Sequence, residues 1–92
     1  MLTPELDKRI REIIFREVVK EREFQLEKHG DEGHSIGAWL LIIEAELNEA
    51  KDAAIKPKTG RDNVINEIIQ VMAVCSACLE EWGVEELPGR MV

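Results

Sequence analysis

Glu46 and Glu49 stand three residues apart in the segment Glu44-Ala45-Glu46-Leu47-Asn48-Glu49-Ala50, and no other two of the 15 glutamates have that spacing. On a helix, residues three apart share one face, with Cβ atoms roughly 5–6 Å from each other. Like charges placed so oppose helix formation slightly, so the pairing invites an explanation. Ile43 and Ala50 are their neighbours around the helix, which puts the two carboxylates close to the apolar side. A carboxylate turned toward an interior needs a cation. The competing reading is a solvated acidic edge of an amphipathic helix. A third acid, Glu67, lies in Asn63-Val64-Ile65-Asn66-Glu67-Ile68-Ile69-Gln70-Val71 and is the one acid between Asp62 and Glu80. It either binds a metal or pairs with a Lys or Arg of the first helix. If the segments holding these residues are antiparallel neighbours, Glu46, Glu49 and Glu67 converge, with the Gln70 amide oxygen beside them. Such a hard oxygen site suits Mg²⁺, with Mn²⁺ as an option, and leaves positions for water and phosphate oxygens.

Three helices would position these groups. Thr3-Pro4-Glu5 has the composition of a helix start: Thr caps, Pro suits the first helical position and Glu favours the positive dipole end. Leu6, Ile10, Ile13, Ile14, Val18 and Phe24 then recur at helical spacing, which predicts a helix over about 4–29 ended by Gly30. Ser35 is the next N-cap, opening a helix over about 35–55 whose stripe reads Ile36, Leu40, Ile43, Leu47, Ala50 and Ala54. Pro57 disfavours helix at Lys56. Asp62 or a neighbour caps a third helix over about 62–83, ended by Gly83. It carries one stripe of Val64, Ile68, Val71, Cys75, Cys78 and Trp82 and a second of Ile65, Ile69, Met72 and Leu79. A helix apolar on two sides wants partners on two sides. The tail over 84–92 reads as irregular.

The fold class is therefore all-α, a single domain of 92 residues. Three such helices do not close a symmetric bundle easily, so a second subunit is expected to complete the core as a homodimer or homotetramer. The charge is −7, from 12 basic and 19 acidic residues, which argues against nucleic acid or an anionic membrane as partner. The longest apolar run, Ala38 to Ile43, is six residues, far short of a spanning helix, and the start lacks a secretory pattern. Two cysteines make no disulfide framework, and a cytoplasmic location is the default.

Glu46-x-x-Glu49, then 17 intervening residues, then Glu67-x-x-Gln70 on a following helix resembles the MazG-like all-α nucleoside triphosphate pyrophosphohydrolases. Their pattern is E-x-x-E, a variable gap and E-x-x-D. The stretch from Glu21 to Leu47 is similar to small MazG-like proteins of phages and bacteria that carry E-x-x-Q in the second motif. The resemblance spans about residues 12–82. It implies an all-α oligomer in which Mg²⁺ held by Glu46, Glu49 and Glu67 binds a nucleoside triphosphate, and water releases the monophosphate and pyrophosphate. Gln70 takes the place of the family's Asp, which lowers the formal site charge from −4 to −3 and removes a possible base. The alternative is a non-catalytic helical oligomer that keeps a nucleotide- or metal-binding cleft as an accessory protein.

Other groups supply weaker candidates. Lys51, Lys56, Lys58 and Arg61, at the end of the second helix and in the loop beyond, can reach phosphates if that loop folds over the site; otherwise they form a solvated basic loop. Gln25, Lys28, His29 and Trp39 flank the first turn, a region that helps form the nucleobase pocket in the resembled family. Trp39 either stacks on a base or belongs to the core. His34 reads as a helix-entry residue. Cys75-x-x-Cys78 lies mid-helix, away from any knuckle turn or helix N-terminus, and reads as two core thiols, not as a zinc or redox motif. Di-iron bundles use Glu-x-x-His, and no His here follows a Glu at that spacing.

Overall fold

A computed structural model describes residues 3–56, 60–83 and 85–90. It is all-helical: α1 spans Pro4–His29, α2 Ile36–Ile55, α3 Gly60–Trp82 and α4 Leu87–Arg90. Among the described residues there is no strand. The local chemistry accounts for the ends. Leu6 N–H donates to Thr3 Oγ1 at 3.2 Å, and Ala38 N–H donates to Ser35 Oγ at 3.1 Å, each relieving an N–H that a helix start leaves without a partner. Gly30 closes α1 at φ 75°, where a Cβ would be strained, and its N–H donates to Leu26 O at 2.8 Å. Lys56, before Pro57, is extended at φ −80° and ψ 116°.

Two boundaries differ from the sequence expectation. α3 begins at Gly60, so Asp62 lies inside its first turn and does not precede it; helix starts slide by a residue or two because their first N–H groups make no intrahelical bond. The tail is not wholly irregular. The Gly83 carbonyl accepts from Glu86 N–H at 3.1 Å and Leu87 N–H at 2.9 Å, which turns the chain into α4.

α3 is the central element. α2 packs along one side of it and α1 along the other, and α1 and α2 do not pack on each other. A helix of 26 residues is about 39 Å long, and the longest dimension of the molecule is 39 Å. The buried set is small: Val18 of α1, Trp39, Ala50 and Ala53 of α2, and Ala73, Val74, Ala77 and Cys78 of α3. Small side chains on α3 let α2 approach closely, and Trp39, Ile42 and Ile43 fill the contact.

The buried stripes are rotated from those read in the sequence. On α2 the inward line runs through Trp39, Ile42, Ile43, Glu46, Ala50 and Ala53, while Ile36, Leu40 and Leu47 of the expected stripe are exposed. On α3 the inward line is Ala73, Val74, Ala77 and Cys78, while Ile65, Ile68, Leu79 and Trp82 are exposed and Cys75 is half-buried. α2 is apolar over more than one face, so periodicity alone leaves its register open; small residues win the α2–α3 contact because they pack closest. Residues 63–82 of α3 are long and apolar enough, by length and composition alone, to cross a membrane. The six-residue run counted in the sequence misses this because Asn66, Glu67, Gln70, Ser76 and Glu80 break the apolar residues of α3 into short runs.

Candidate metal centre and its cleft

The rotated register of α2 puts Glu46 in the middle of its inward line. α2 runs antiparallel to α3, since Trp39 meets Glu81 while Glu46 meets Glu67. One carboxylate oxygen each of Glu46, Glu49 and Glu67 lies within 4.8 Å of the others. Glu46 and Glu67 are half-buried and Glu49 is exposed. Glu46 Oε2 and Glu67 Oε2 are buried without a hydrogen-bond partner. Buried carboxylate oxygens are normally paired.

The electrostatics follow from that placement. Glu46 has its pKa raised first by desolvation, then by the charge of Glu49 and a shared hydrogen bond with it, then by the charges of Glu67 and Glu21. Glu67 is raised by desolvation, by Glu49 in the same two ways and by the charge of Glu21. The described ion pairs, Lys20–Glu17 and Arg22–Glu80, leave all three acids out. α1 thus brings another acid, Glu21, toward Glu67, not the Lys or Arg that a salt-bridge reading requires. Glu21 was missed in the sequence reading. The signal was present: Ile14, Val18, Glu21 and Gln25 share one helical face, and Val18 is the buried residue of α1.

A cleft of about 660 Å³ leads away from Glu46. Trp39, Ile42, Val74 and Ala77 provide its apolar lining, and Arg22, Gln25, His29, His34, Glu80 and Glu81 its polar one. At the far end Glu81 Oε1 accepts from Trp39 Nε1–H at 2.8 Å and from His34 N–H at 3.0 Å. These donors lower the Glu81 pKa, the Trp39 bond most. Trp82 Nε1–H donates to His34 O at 2.8 Å, and the His34 ring meets Trp39 edge-on at 4.8 Å between centroids. Arg22 Nε–H donates to Glu80 Oε2 at 2.9 Å. His34 is thus more than a helix-entry residue, because its backbone ties the α1–α2 turn to the end of α3.

The other candidate residues divide between places. Trp39 and Gln25 line the cleft. Trp39 is also core, so its two sequence readings are not exclusive. Gln70 lines a groove on the α1 side of α3 with Glu17, Glu21 and Phe24. Lys51 and Lys56 are exposed at the end of α2, outside the cleft lining. Lys28 also lies outside it, with Nζ 6.0 Å from the centroid of the Phe24 ring, because one helical turn puts that ring within reach. Lys58 and the Arg61 side chain lie outside the described residues. Cys78 is buried and its thiol pKa is raised by desolvation, which makes it less reactive, not more.

The arrangement defines a class: an all-helical protein with a carboxylate cluster between two antiparallel helices and a cleft opening from it. Comparison with family models, with curated proteins and with solved structures finds no match.

Proposed function

We propose that this chain is a Mg²⁺-dependent nucleoside triphosphate pyrophosphohydrolase of the MazG-like type, hydrolysing a ribo- or deoxynucleoside triphosphate to the monophosphate and pyrophosphate. The observation that carries the reading is the pair of buried, unpartnered oxygens on Glu46 and Glu67 within a three-carboxylate cluster. Three acids with no cation among the described ion pairs fit a divalent ion in number, charge and donor type. The E-x-x-E and E-x-x-Q motifs agree with it.

In this reading Glu46, Glu49 and Glu67 hold Mg²⁺, or Mn²⁺, and Gln70 stands at the α1 side of the same helix. When bound, the ion supplies charge neutralisation for the phosphates and a lowered pKa for a coordinated water. Glu46 and Glu67 are oriented by the helices that bury them. Glu49 is the exposed member, open to solvent. Trp39 and Gln25 line the space for the nucleoside. Lys51, Lys56, Lys58 and Arg61 would serve the phosphates from the α2–α3 connection. The water oxygen would bond to the α-phosphorus, the bridging P–O bond to the β-phosphorus would break with its electron pair leaving on pyrophosphate, and the water proton would pass to solvent.

The reading includes a homo-oligomer in the cytoplasm that binds neither nucleic acid nor membrane. Support for the oligomer is the amount of apolar surface the chain leaves exposed, including Leu40 and Leu41 of α2 at 58% and 69% exposure and Ile13 and Phe15 of α1. The same surface favours the second reading, a non-catalytic accessory oligomer, in which Gln70 marks a site that has lost its base. Pyrophosphate release from the common and deoxy nucleoside triphosphates, with Mg²⁺ or Mn²⁺, tests both. Metal-dependent release that vanishes in Glu49→Ala supports the enzyme. No release from folded protein leaves the accessory reading.

A further inference from the structure

The cleft has two acidic ends with different surroundings. At the Glu46 end, Glu46 Oε2 and Glu67 Oε2 are buried without a hydrogen-bond partner. At the other end Trp39 Nε1–H and His34 N–H both donate to Glu81 Oε1, and among the described residues these are its hydrogen bonds. That leaves Oε2 as an acceptor. Gly33 passes so near that a Cβ there would stand 3.1 Å from Oε2. Beside Glu81, Glu80 Oε2 accepts from Arg22 Nε–H at 2.9 Å and from the Ser76 hydroxyl at 3.0 Å, so the charge of Arg22 is paired with that of Glu80. Asp31 and Glu32 line the same end.

This end offers acceptors and repels anions, so phosphates belong at the Glu46 end, where a cation would intervene. Trp39 and Glu46 are seven residues apart on α2, about 10 Å along the helix, a separation a nucleotide can bridge. The apolar lining of Trp39, Ile42, Val74 and Ala77 suits a planar ring between the two ends. The geometry points to Glu81 as the residue that selects the base: its carboxylate accepts from an exocyclic amino group, favouring cytosine, adenine or guanine over thymine and uracil. In thymine and uracil the imide N–H is flanked by two carbonyl oxygens, whose lone pairs oppose those of a carboxylate. This inference rests on the pyrophosphohydrolase reading of the same cleft and adds its substrate class.

Its test is calorimetric binding of α,β-imido deoxynucleoside triphosphates, which resist cleavage, with Mg²⁺ present, to the full chain and to Glu81→Gln. The Gln amide oxygen still accepts from Trp39 and His34, so the fold is retained, and a melting curve checks it. The native chain should bind the amino-bearing analogues at least about tenfold more tightly than the thymine analogue, the scale of one charge-assisted hydrogen bond. Glu81→Gln should remove that preference, and Gly33→Ala, which crowds Oε2, should reduce it. Equal binding of all bases by the native chain overturns the inference and leaves the pyrophosphohydrolase reading standing. So does an equal loss for every base in Glu81→Gln, the signature of a purely structural tie. No binding of any analogue by folded protein overturns both readings together.

Discussion

Glu67 and Glu81 lie on the same helix, both face its neighbour α2, and their carboxyls shift in opposite directions. Glu67 meets two other acids and buries an oxygen without a donor. Glu81 meets an indole N–H and a backbone N–H. The residue type is the same and the net charge nearby is negative in both places, so charge counting does not separate them. Donors do. Where the chain supplies donors, the charged acid is favoured; where it withholds them, the charged form is disfavoured, and among the described ion pairs no cation meets it.

The largest expected effect breaks the first half of this contrast. Glu67→Ala or Glu46→Ala should reduce metal-dependent pyrophosphate release by about 100-fold or more, since in the proposed reading each would hold the ion, while Glu80→Ala should leave most of it. Steady-state assays over a metal titration check this. The same variants should raise the melting temperature of metal-free protein at neutral pH and abolish its rise on adding Mg²⁺.

Next in size is the pH response. Glu46 and Glu67 have folded pKa values above the ordinary carboxylate value of 4.5, so the folded state holds their protons more tightly than the unfolded chain. Their contribution to stability is complete below pH 4.5 and is lost as pH rises through the raised values. Glu81 is lowered from 4.5; its contribution is present above that pH and is lost as pH falls through the depressed value. Denaturation midpoints of metal-free native protein should therefore fall as pH rises above 4.5, and Glu46→Gln should flatten that fall. Mg²⁺ should reverse it, because ligation needs the ionised carboxylates.

A smaller effect sharpens the contrast. Gln70→Asp adds an acid near Glu21 and restores the charge of the E-x-x-D motif. It should increase Mg²⁺ affinity measured by calorimetry if the cluster is an ion site, and leave an accessory protein indifferent. The smallest belongs to the rim. The Arg22–Glu80 pair joins a mostly buried Arg to a Glu side chain that is 52% exposed, so Arg22→Ala should change stability by no more than about 1 kcal/mol in chemical denaturation.

Much of the fold could be read from the residues. Thr3-Pro4, Gly30, Ser35 and Gly83 act through their own backbones or nearest N–H groups, so they punctuate helices wherever these pack. The three acids of the cluster were legible as well, because Glu46-x-x-Glu49 is the chain's one pair at that spacing and Glu67 interrupts an apolar run. Glu21 and Glu81 were less so. Glu21 sits near Glu17 and Glu23, and only the face it shares with Ile14 and Val18 singles it out; Glu81 sits beside Glu80, and nothing local says which of them meets Trp39. The stripes of α2 and α3 misled for a related reason: Leu40 and Leu47 are as apolar as Ile42 and Ile43, and hydropathy does not say which set meets α3.

By itself the sequence determined what acts over one or two turns: helix class, caps, breaks and an uncommon pair of acids. The rotation of each helix, and with it the identity of the inward carboxylates, was decided by tertiary packing. The packing of Trp39, Ile42 and Ile43 on Val74, Ala77 and Cys78 goes with that rotation, and a rotation of α2 by one residue, about 100°, would carry Glu46 out of line with Glu67.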